Sequence, residues 1–309
     1  MESSRARRRR VPLLCIALAA LVVVGGTAAG TVYVQAQAHP REAAVSSSSA
    51  TPSEVAASGE ASVEPVTRPT VDRAALLADA MESVSVPDGA ELSVAVLDME
   101  SGESAAFGDG SFDTASIVKV DVLAALLLQA QDAGRELTSA EKTYATAMIE
   151  NSDNASTSAL WETIGRAEGL AAANERLGLT ATEGGEGMLW GLTQTTAADQ
   201  LTLLQQVFGD DSELSEASRA YLRGLMGRIA VDQRWGVSAV ADGSQWALKN
   251  GWLPRSTTGL WDINSIGRVT VDGRDCLVAV LSDGNATKAE GVALVEAAAR
   301  AAVSVFAGD

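Results

Sequence analysis

The chain has 309 residues, with 23 Lys and Arg against 40 Asp and Glu, for a formal net charge of −17. That sign excludes a nucleic-acid partner held through its phosphates. The lone histidine, His39, lies in a low-complexity stretch, which excludes a serine–histidine–aspartate mechanism, and Cys15 and Cys276 fall in different segments, so no internal disulfide or Cys/His zinc cluster is expected.

Residues 1–38 carry Arg5 and Arg7 to Arg10 ahead of an apolar run of 24 residues, Val11 to Val34. At a rise of about 1.5 Å per residue, such a helix crosses a hydrocarbon core of about 30 Å. The arginines in front keep the N-terminus inside and send the rest outside. Ala36-Gln37-Ala38 is a small-x-small cleavage signal. The segment therefore reads either as a membrane anchor through residues 11–34 or as a removed signal peptide. Both readings make the remainder extracytoplasmic. Residues 39–70, rich in Ser, Ala, Glu, Pro and Thr, cannot bury enough apolar surface to fold and read as a linker. Residues 71–309 are the folded domain, long enough for a large core.

Within that domain, Val71 to Val84 has helical apolar spacing, and Glu91 to Leu97 and Ser104 to Phe107 read as strands about a turn at Gly102. Ser116 to Gln131 is a helix too apolar for a surface position, so it is expected to be buried. Thr138-Ser139-Ala140-Glu141 is a capping box that opens the next helix, which ends near Asn151. Another helix starts there. Leu179 to Gln194, with four glycines, is a loop; helices follow from Thr195 or Thr196 to Phe208 and from Ser215. Four short strands are expected at Ser244 to Leu248, Gly259 to Ile263, Gly267 to Val271 and Asp275 to Leu281, then a helix from Ala286 to Phe306. This order predicts an α+β fold: an antiparallel sheet built from both chain ends and flanked by helices, plus an all-helical subdomain.

Three short motifs fall on these elements. Ser116-Ile117-Val118-Lys119 places a nucleophile and a base on one helical turn, beside the helix's first N–H groups. Ser152-Asp153-Asn154 stands at a helix-to-helix corner, and Lys249-Asn250-Gly251 at the end of a strand. Each alone is weak: Asp153 caps a helix, and Lys-Asn-Gly makes a turn. Together, in this order, they carry two of the chain's four lysines.

The set resembles the penicilloyl serine transferases, and within them class A β-lactamases and D,D-peptidase-like penicillin-binding proteins, over about residues 75–306. The resemblance implies an acyl-enzyme on Ser116, with Lys119 as base, Ser152 as proton relay and Lys249 as second cation. It implies that Asn154 and Asn250 bind substrate, and that Ser116 and Trp252 supply the oxyanion-hole N–H groups beside Gly251. No cofactor is implied, and the partner is a small-molecule or peptide substrate of a monomer.

Two departures stand out. The third motif has Asn250 where the family usually has Thr or Ser. The loop at 180–194 offers Glu183 and Glu186, of which Glu186 is assigned as the deacylating base. Neither is followed four residues later by the family's asparagine. Three functions stay open beside a β-lactamase: a slowly deacylating peptidase-like protein, an esterase, and a tethered non-catalytic binding domain. Arg234 and Arg255 are either carboxylate binders or surface charges, Trp252 and Trp261 either core or cleft wall, and Cys276 is a core strand residue.

Overall fold

Val94 and Val96 point to one side of their strand, Ala95 and Leu97 to the other, and all four are buried. A strand buried on both faces needs a layer on each side. The computed structural model, which describes residues 71–307, provides both. The anchor or signal segment at 1–38 and the linker at 39–70 lie outside the described residues. Among the described residues, no helix is long and apolar enough to cross a membrane.

The strands are β1 (Glu91–Asp98), β2 (Ser104–Phe107), β3 (Phe112–Asp113), β4 (Gln194–Thr195), β5 (Trp246–Pro254), β6 (Trp261–Val271) and β7 (Arg274–Asn285). Five form one antiparallel sheet, ordered β2-β1-β7-β6-β5, and β3 pairs with β4 apart from it. Helices α1 (Arg73–Met81) and α8 (Lys288–Ser304) cover one face through Leu77, Leu294, Val295 and Ala298, packed with Val94, Val96, Val278 and Val280. The other face meets α6 (Ala197–Phe208) and α7 (Glu216–Met226), and its apolar cluster continues into α2 (Val118–Asp132), α3 (Ser139–Glu150), α4 (Asn154–Ile164) and α5 (Arg166–Leu177). This is the expected α+β architecture.

The helix caps follow the sequence closely. Asp72, Thr138, Asp153, Thr196, Ser215 and Thr287 each accept a hydrogen bond from the first turn of their helix. Thr138 and Glu141 complete the capping box.

The third region differs from its expectation. Gly259 to Ile263 and Gly267 to Val271 do not make two short strands; β6 runs through Gly267 unbroken. A Cβ there would stand 2.5 Å from the Ala247 carbonyl oxygen and 2.7 Å from the Leu248 Cβ. The glycine permits close approach of β5 rather than a turn. Lys249-Asn250-Gly251 accordingly sits within β5, not at a strand end. As β5 is the last strand of the sheet, one of its edges is free of any strand partner.

Candidate active site

The site begins with a backbone turn. Ala115 has φ 48°, in the left-handed region that a side chain disfavours. A 3₁₀ turn at Ala115–Ile117 therefore precedes α2, and Ser116 stands in that turn rather than in the α-helix proper. Three contacts hold the turn. Thr114 N donates to Thr193 O at 2.8 Å. The side-chain amide of Asn264, on β6, donates to Asp113 O at 2.9 Å and Thr114 O at 3.1 Å. Gly251 presses on it from β5: a Cβ there would lie 2.7 Å from Thr114 O and 3.0 Å from Ser116 N.

Lys119 projects from the first turn of α2. Its Nζ lies 2.9 Å from Ser116 Oγ, 2.7 Å from Ser152 O, 2.9 Å from Ser152 Oγ and 2.9 Å from Asn154 Oδ1. Ser152 is offered to it by the α3–α4 corner, where Ser152 has φ 55°. Asp153 caps α4 through Ser156 N at 2.7 Å, and those hydrogen bonds from Ser156 hold its carboxyl below the usual range. Lys249 reaches the same hydroxyl from the sheet: Nζ donates to Ser152 Oγ at 3.1 Å and to Asn250 O at 2.8 Å. Ser152 thus bridges two lysine amines, while Ser116 and Ser152 keep part of their surface open.

Both lysines are 0 % exposed. Burial lowers the Lys119 amine to about 7, against the opposing pull of Asp153. Burial, with the charge of Lys119, holds Lys249 well below its ordinary value. A buried amine with a substantial neutral fraction near pH 7, within hydrogen-bond distance of a serine hydroxyl, can accept its proton.

The structure brings Ser116, Lys119, Ser152, Asn154, Lys249 and Gly251 together. It does not bring in two other expected groups. Glu186 is exposed, and its carboxylate bonds to none of these side chains; Glu183 is also exposed, in a bridge with Gln194. Over Lys119 lies the Trp190 ring instead, its centroid 5.0 Å from Nζ. Trp190 is fixed by its own Nε1, which donates to Ser158 Oγ at 3.2 Å. The second group is Asn250, which faces away from Ser116. Its Nδ2 donates to Gln233 O at 2.7 Å and Trp235 O at 3.0 Å. Alternation along β5 explains this: Lys249 and Gly251 face α2, while Asn250 and Trp252 face α8. The Trp252 ring packs edge-on to Trp235, centroids 6.0 Å apart, so its side chain belongs to the core layer.

Trp190 and Asn264 carry no motif. Asn264 had a weak signal, a polar residue within an apolar strand; a lone loop tryptophan had none. Among the described residues, no group of three His, Cys, Asp or Glu side chains is placed to hold a metal ion.

The profile of the β-lactamase enzyme family matches residues 139–306, which include the second and third motifs. No curated protein sequence matches the chain. Among solved structures, TLA-1 extended-spectrum β-lactamase is 16 % identical, covering 76 % of this chain and 98 % of its own, with a TM-score of 0.65. A class A β-lactamase from Bacteroides cellulosilyticus is 15 % identical, covering 78 % and 100 %, with a TM-score of 0.65. PBP-A is 20 % identical, covering 75 % and 96 %, with a TM-score of 0.64. At these identities the likeness is one of fold.

Proposed function

The chain belongs to the β-lactamase enzyme family, and from that premise we propose that it is an extracytoplasmic serine hydrolase, acylated on Ser116 by β-lactams or related amides. The observation that carries this reading is the 2.9 Å contact from Lys119 Nζ to Ser116 Oγ, made by an amine lowered to about 7. Ser116 attacks the carbonyl as Lys119 takes its proton. Ser152, hydrogen-bonded to both lysines, passes a proton to the leaving nitrogen. Backbone N–H groups of Ser116 and Trp252 receive the oxyanion, in a space that Gly251 leaves open. Asn154 gives its oxygen to Lys119, which leaves its amide N–H groups for a substrate carbonyl. The chain acts as a monomer, held at the membrane by residues 11–34 or released after cleavage.

The test is incubation with a chromogenic cephalosporin and, separately, a fluorescent penicillin, beside Ser116→Ala. Covalent labelling that Ser116→Ala lacks is expected; equal labelling of both proteins removes Ser116 from the mechanism.

A second reading is favoured by Trp190. Its ring, and no carboxylate, covers Lys119 on the loop side, so water has no base there and the acyl-enzyme persists. A variant of the similar PBP-A was solved as an acyl-enzyme with penicillin-G. Labelling without colour turnover selects this peptidase-like behaviour.

A further inference from the structure

The two lysines that reach Ser116 and Ser152 are already engaged. Lys119 and Lys249 are enclosed and donate to Ser116, Ser152, Asn154 and the Asn250 carbonyl. Burial holds Lys249 well below its ordinary range, so it balances an anion poorly. Beyond β5, the Arg255 guanidinium is bonded to Asp113 and lies 3.5 Å from Asp262. Arg234 donates to Ile229 O at 3.3 Å and lies 5.3 Å over the Trp246 ring. Lys288 starts α8, on the far face of the sheet, with its Nζ 4.2 Å from the Trp252 ring centroid and 5.8 Å from that of Trp235.

Asn250 completes the pattern. Its two donated hydrogen bonds go to backbone carbonyls, and its side chain is 0 % exposed. Its remaining polar atom, Oδ1, is an acceptor, 3.3 Å from where a Cβ on Gly236 would stand. Turned to the other face of β5, Asn250 offers neither a hydroxyl nor a cation to the space at Ser116, and the net charge of −17 repels a carboxylate at long range. Gathered at Ser116 are neutral groups instead: Ser152, Asn154, the Trp190 ring and the Gly251 backbone.

Resting on Ser116 as the acylated nucleophile, we infer that this site takes uncharged acyl donors, namely esters, thioesters or amides with no carboxylate beside the scissile bond, in preference to their carboxylate-bearing counterparts. The Ser116 Oγ–acyl bond forms as the acyl bond to oxygen, sulfur or nitrogen breaks. The serine proton passes through Lys119 and Ser152 to the leaving group, and water then releases the acid.

The experiment compares a chromogenic cephalosporin with its methyl ester on the full chain. The two share ring strain and leaving group and differ in the carboxylate. Acylation at least about tenfold faster by the ester is expected. Equal rates, or a faster free acid, overturn the inference. So does a free-acid preference that disappears in Lys288→Met, which would place the carboxylate on Lys288. A fluorophosphonate probe separates the two levels. Labelling at Ser116 with a free-acid preference overturns the substrate class alone; no labelling overturns the nucleophile, and the substrate class with it.

Discussion

Lys119 Nζ meets four oxygen atoms and a ring but no carboxylate. Its charge is stabilised by those dipoles, the ring and the more distant carboxylate of Asp153, and burial outweighs them, so the amine falls to about 7. The acylation rate of Ser116 is therefore expected to rise with pH through about 7 and then level off. Rapid-quench labelling across that range checks it, and a flat profile removes Lys119 as base. Lys119→Arg, permanently charged, should lower acylation by about 10²–10⁴-fold and also lower the midpoint of thermal unfolding, because the buried site then carries a fixed charge. Trp190 acts on the same amine. A ring beneath an ammonium favours the charged form by about 0.5–2 kcal/mol. Trp190→Leu should then shift the rising limb to lower pH, by at most about one and a half units, and shorten the acyl-enzyme lifetime. An unmoved limb would show that the ring does not hold the charge.

At the level of elements, three backbone features converge on one point. The 3₁₀ turn at Ala115–Ile117, the α3–α4 corner and mid-β5 each place one motif, and two of them need left-handed residues, Ala115 and Ser152. Gly251→Ala tests the approach of β5. Its Cβ would meet Thr114 O at 2.7 Å, so strand or turn must move. Acylation should fall by more than about tenfold, while the helices and the sheet persist by circular dichroism. Asp153→Ala removes the cap on Ser156 N and should cost about 1 kcal/mol, read by urea unfolding, whereas Asp153→Asn keeps most of it.

For the molecule as a whole, the interior holds a perturbed carboxyl apart from the two lysines. Asp121 lies on α2, buried beside Asn174 of α5 and Asp199 of α6. Burial raises its carboxyl to about 7, the Asp199 charge adding to the shift and Asn174 opposing it. Below the unfolded value of 3.8 the acid is neutral in both states and costs nothing. Between 3.8 and about 7 the native state holds the extra proton, so stability falls as pH rises, and above about 7 the penalty is complete. Lys119 runs the other way: from about 7 to 10.5 the unfolded chain holds the extra proton, so its penalty fades as pH rises. Asp121→Asn is expected to stabilise the protein by about 1–3 kcal/mol above neutrality and hardly at all near pH 4. Denaturant melts at the two pH values decide it.

Apolar periodicity and capping chemistry alone determined much of this protein. The caps at Thr138, Asp153, Thr196 and Ser215, the buried α2 and most of the order of helices and strands followed from local rules, because each is satisfied within a few residues. The motif lysines stand out because the chain has only four; its serines are common and could be named only through the order and spacing of the three motifs. Tertiary structure decided what lies between segments distant in sequence. Gly267 reads as a break, yet it is a close contact with Ala247 of another strand. Glu186 reads as a base, yet the loop turns it to solvent and sets Trp190 over Lys119. Asn250 reads as a substrate ligand, yet strand alternation aims it at Gln233 and Trp235, away from Ser116. Residue type states what a side chain can donate or accept; only the packing of β5, the loop and α2 against one another selects the partner.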